Sequence, residues 1–66
     1  MSEIIDRRLI RGIEATTWKT QDAEGRDVFA TTADRDGVAV EPTTGWLESP
    51  ETARKIFAED VALASE

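Results

Sequence analysis

Sixty-six residues allow one small domain, and a chain with no cysteine and no histidine has neither disulfides nor the usual zinc ligands to brace it. Below roughly 70–80 residues a core rarely supplies more than about 3–5 kcal/mol, so self-association is the remaining aid and a homodimer is expected. The net charge of −6 is uneven: residues 1–19 carry +1 through Arg7, Arg8, Arg11 and Lys19 against three acids, and the rest carries −7.

An acidic body repels phosphate backbones at long range, so direct nucleic-acid binding is not expected. No apolar run approaches the roughly 18–20 residues of a membrane span, and the start, Met1 to Asp6, is acidic rather than basic and apolar. A cytoplasmic address is therefore expected. The absence of Asn and Tyr, with Ala, Arg, Thr and Asp plentiful, is the bias of a GC-rich genome.

In chain order, residues 1–6 are expected to be flexible and a first strand to run over Arg8–Thr20, rich in Thr, Ile and Trp. Gly12 hosts a bulge that brings Ile10 onto the face of Ile13 or Trp18. A competing reading makes Glu3–Arg11 a helix capped by Ser2 and ended by Gly12; the strand is preferred because Ile4, Ile5, Leu9 and Ile10 spread around a helix instead of forming a stripe. Two turns follow, Asp22-Ala23-Glu24-Gly25 and Asp34-Arg35-Asp36-Gly37, each with Asp first and Gly fourth. They delimit strands over Asp27–Ala33 and Val38–Pro42.

Pairing Gln21 with Arg26 places Trp18 opposite Phe29 and Thr16 opposite Thr31. One face then gathers Trp18, Phe29, Ala33, Val38 and Val40, and the other Ala15, Thr17, Lys19, Val28, Ala30 and Thr32. Trp46 follows the last strand, either as a lid on the core or as an anchor for a partner protein.

The last element is the best marked. Ser49 caps free N–H groups, Pro50 suits the first helical position, and Glu51 meets the positive end of the dipole, which predicts a helix from Pro50 to Ala64. Its apolar arc holds Ala53, Ile56, Phe57, Val61, Leu63 and Ala64 around Asp60, with Arg54, Lys55 and Glu59 on the solvated side. The expected fold is α+β: a three-stranded antiparallel meander covered on the bulky Trp18 face by the C-terminal helix (β-β-β-α).

Catalytic chemistry is hard to place. No histidine can activate a nucleophile, and nothing singles out two of the fourteen acids as an acid–base pair. Reading Asp34–Gly37 as a calcium loop fails, since Thr32 and Thr43 would fall at the first and last ligand positions. No enzyme activity, metal or cofactor is expected. The candidate partner-binding residues are Arg7, Arg8, Arg11 and Trp46, and the expected homodimer is symmetric and uses either the free edge of the first strand or the surface of Ile13, Ala15, Val28 and Ala30.

The layout of Ile13-Glu14-Ala15-Thr16-Thr17-Trp18, Glu24-Gly25-Arg26, Gly37-Val38-Ala39-Val40 and Leu47-Glu48-Ser49-Pro50-Glu51-Thr52-Ala53-Arg54 resembles small uncharacterised strand-strand-strand-helix proteins of actinobacteria and their phages. The resemblance spans most of the chain and implies a phage or prophage accessory role, without binding residues to carry over. The expected function is a small non-enzymatic protein-binding module, a modulator of a host protein. The alternatives are an acidic DNA mimic that occupies a nucleic-acid-binding protein, and a self-associating structural or assembly factor.

Overall fold

The computed structural model describes residues 2–64; Met1, part of the segment expected to be flexible, lies outside them. The chain is a three-stranded antiparallel sheet followed by one helix: β1 (Glu3–Ile10), β2 (Ile13–Gln21), β3 (Asp27–Ala33) and α1 (Pro50–Ala64), with β2 central. The β-β-β-α order is as expected, but the strands are cut differently.

The span Arg8–Thr20 is not one strand. It turns back at Arg11-Gly12, and Ile10 pairs with Ile13. Arg11 and Gly12 lie at φ 52° and 81°, the positive values that a two-residue type I′ hairpin requires at both central positions. Gly12 therefore serves a turn, not a bulge. The bulge lies nearer the start, where the register slips between Ile4 and Asp6. Residues 3–11 are not helical, and Glu3–Asp6 join the ladder, with Glu3 opposite Lys19 and Ile4 opposite Trp18.

The first Asp…Gly turn forms as its chemistry dictates. The Asp22 carboxylate accepts the N–H groups of Glu24 and Arg26, both at 2.9 Å, and Gly25 closes the turn at φ 80°. Arg26 is thereby held inside the loop, and the closing pair is Gln21 with Asp27. That is one residue beyond the expected register, so Trp18 faces Ala30 and Thr16 faces Thr32. A shift of one moves every side chain of β3 to the other face relative to β2. Phe29 consequently does not share a face with Trp18.

The second turn is centred on Asp36-Gly37 instead of spanning Asp34–Gly37. Arg35 and Val38 exchange both backbone hydrogen bonds at 2.9 Å around the positive φ values of Asp36 and Gly37. The expected strand Val38–Pro42 does not form. Instead Phe29 and Leu47 exchange two bonds of 2.7 Å, so residue 47 takes the edge of β3. The intervening segment crosses the Trp18 face. Trp18 donates its indole N–H to the Thr32 hydroxyl at 3.1 Å, and that hydroxyl donates to the Val40 carbonyl.

The helix lies on the other face. Arg54 reaches Asp6 at 3.3 Å, and Asp6 is paired with Thr17, on the face that also carries Thr31 and Phe29. Expecting α1 to cover Trp18 was wrong for the reason given by the register. Ser49 caps as predicted: the Thr52 N–H donates to its hydroxyl at 3.1 Å. Ala53 is buried and lets the helix come close, while Arg54, assigned to the solvated side, is turned inward with its side chain 19% exposed. Ile56, Leu63 and Ala64 stand exposed in exchange.

The core is small. Ala15, Trp18, Ala30 and Ala53 are its buried apolar residues, and the most deeply buried side chains are Thr16 and Thr17. Each threonine is satisfied: Thr17 and Thr31 share a hydroxyl hydrogen bond of 3.0 Å, and Thr16 donates to Asp34 at 2.7 Å.

Candidate functional site

The four residues proposed for partner binding do not form one patch. Arg7 and Arg8 are neighbours in a strand and so project from opposite faces. Arg7 pairs with Asp34 at 2.5 Å, and Arg8 with Asp6 at 2.7 Å. Arg11 is exposed in the hairpin turn, and Trp46 is half-buried beside Leu47, at the far side of the sheet.

Asp34 is the electrostatic centre of the Arg7 face. Its side chain is only 3% exposed and its backbone N–H extends the ladder to the Glu14 carbonyl at 2.8 Å. The Thr16 hydroxyl, and after it the Arg7 guanidinium, hold its carboxyl below the usual aspartate range. The same contact with Asp34 raises Arg7. A carboxylate tied down in this way is a poor proton acceptor near neutral pH. Among the described residues no group of acidic side chains is arranged to hold a metal ion.

Open clefts mark the surface of the described residues. One of about 370 Å³ lies at the hairpin end and is lined by Arg7, Arg8, Leu9, Glu14, Ala15 and Asp34. A polar one of about 530 Å³ lies between Glu3 and Lys19–Asp22 at the opposite end. Another, about 260 Å³, runs between the edge of β3 and Ile56 and Phe57 of α1.

The feature with the plainest binding geometry is the outer edge of β1. Because the Asp34 N–H bonds to Glu14, the even-numbered residues of β2 serve β3 and the odd-numbered ones serve β1. Asp6, Arg8 and Ile10, opposite Thr17, Ala15 and Ile13, therefore turn their peptide groups inward. Arg7 and Leu9 turn theirs outward, where α1 does not reach, since it packs mainly along β3. Along this edge Ile4, Ile5 and Leu9 are 48%, 41% and 68% exposed. The edge of β3, by contrast, is partly closed by Leu47.

The sequence points to a free edge on its first strand, but that strand was expected over Arg8–Thr20, whereas the outer strand is Glu3–Ile10. The signal that finds it is Arg11-Gly12 read as a two-residue hairpin, which makes Glu3–Ile10 an outer strand. No helix among the described residues is long and apolar enough to cross a membrane. Compared with models of protein families, with curated proteins and with solved structures, the chain shows no match.

Proposed function

We propose that this chain is a small non-enzymatic protein-binding module that works by β-strand addition at the edge of β1, in the phage or prophage setting that the resemblance of its sequence implies. The observation that carries this reading is the open backbone edge at Arg7 and Leu9 flanked by the exposed Ile4, Ile5 and Leu9. An added strand draws affinity from main-chain hydrogen bonds and specificity from alternate side chains. The DNA-mimic reading draws less support, because Asp6, Asp34, Glu24 and Asp27 are each drawn into ion pairs instead of forming a free acidic face.

The test is capture from a GC-rich bacterial lysate with two baits side by side, wild type and Leu9→Lys. A charge at the centre of an edge discourages strand addition without entering the core. A host protein identified by mass spectrometry, enriched by the wild type and lost with Leu9→Lys, is the expected result. Equal capture by both baits removes β1 from the proposal.

A further inference from the structure

We infer that the occupant of the β1 edge is β1 of a second copy, paired antiparallel about a twofold axis through Arg7, so that two sheets join into one of six strands. This rests on the reading of β1 as a strand-addition edge: the second copy holds that edge in the free protein, and a host protein enters by displacing it.

The register follows from hydrogen-bond phase and charge. Directly opposed residues in an antiparallel pair must be both bonded or both non-bonded, so an axis midway between two residues is excluded. An axis through Asp6 would set Arg7 opposite Ile5 and Arg8 opposite Ile4, and one through Arg8 would set Arg7 opposite Leu9 and Asp6 opposite Ile10, so neither gains an opposite-charge pair across the seam. An axis through Arg7, whose peptide groups face outward, sets Asp6 opposite Arg8 of the second copy, twice. It also sets Leu9 against the Ile4–Ile5 step where the β1 bulge lies. Reading outward from Arg7, the strand is a pseudo-palindrome: Asp6 mirrors Arg8, Ile5 mirrors Leu9, and Ile4 mirrors Ile10. The only like pair, Arg7 on Arg7, is screened because each guanidinium is already held by its own Asp34. The free edge and the charge pattern thus select the same register.

Sedimentation of the full chain is expected to give a dimer mass at high concentration and a melting temperature that rises with concentration. Leu9→Lys is expected to give a folded monomer with the wild-type circular dichroism. With no native cysteine, Arg7→Cys places single thiols on the axis, and mild oxidation should link two chains. Leu9→Cys leaves its thiols roughly 14 Å apart, four strand residues from register, and should not link. Arg7→Cys also removes the contact to Asp34, so wild-type hydrogen exchange supplies an independent reading: the Arg7 and Leu9 amides should slow as concentration rises. A monomer mass throughout with a concentration-independent melt, unprotected Arg7 and Leu9 amides, or linking at position 9 in place of 7 overturns the proposal. A monomer that still captures a client lost with Leu9→Lys overturns the second copy while leaving the binding module intact.

Discussion

Asp34 shows how one side chain can serve two strands and a turn. It continues β3 through its backbone, takes the Thr16 hydroxyl from β2, and neutralises Arg7 from β1. Its carboxyl is depressed below the ordinary value of 3.8, so its stabilising contribution is fully present above that value and is lost as pH falls through the lower folded value. Melting temperature measured against pH should therefore drop on the acid side below about 4, and Asp34→Asn should lower the plateau and flatten that limb. Arg11 carries the opposite kind of effect, a cost. A non-glycine residue at φ 52° is strained, and Asn tolerates that region better. Arg11→Asn should raise stability by about 0.5–1 kcal/mol in urea unfolding. Gly12→Ala meets no atom within 4 Å, so its loss of about 1 kcal/mol would come from φ alone.

At the scale of elements, the most local signals were the most legible. Ser49-Pro50-Glu51 marks the start of α1 at Pro50, because capping depends on residues three apart. Ser49→Ala should cost about 1 kcal/mol, seen as a lower urea midpoint with an unchanged slope. The hairpins were harder to read. Asp-Gly at 36–37 is a strong hairpin signal, but the loop that forms is two residues narrower than the expected Asp34–Gly37, and Arg-Gly at 11–12 lacks the usual Asn or Asp, which makes it resemble a bulge site. The sheet is held in part by threonine pairs, which makes it sensitive to unmatched changes. Thr17→Val strands the Thr31 hydroxyl under the helix and should cost about 1–3 kcal/mol. The double substitution Thr17→Val, Thr31→Val should recover most of that loss, and a double-mutant cycle measures the coupling.

For the molecule as a whole, the distribution of apolar residues is the main fact. Small residues fill much of the core, while Ile4, Ile5, Leu9, Val38, Val40, Ile56 and Leu63 stay exposed. A chain that leaves this much apolar surface outside gains from covering it, which is the physical motive for the strand addition proposed at β1. The ion pairs that cross the fold, Arg7 with Asp34 and Arg54 with Asp6, orient its parts more than they stabilise it, since part-exposed pairs contribute little.

The sequence by itself determined the class of fold, the helix and its cap, and the loop around Asp22, because each depends on residues within a few positions of one another. It also determined β3, bounded by two turn signals. Only the tertiary structure decided which face each side chain takes. That hinged on whether Arg26 lies in the loop or the ladder, a choice settled by the Asp22 carboxylate claiming the Arg26 N–H. Composition cannot resolve a one-residue shift that exchanges two faces. The same holds for Leu47 in place of Val38–Pro42 on the β3 edge, and for Arg54 turning inward to Asp6. The Leu47 and Arg54 contacts join residues far apart in the chain, selected by the space and charge that the sheet presents once folded.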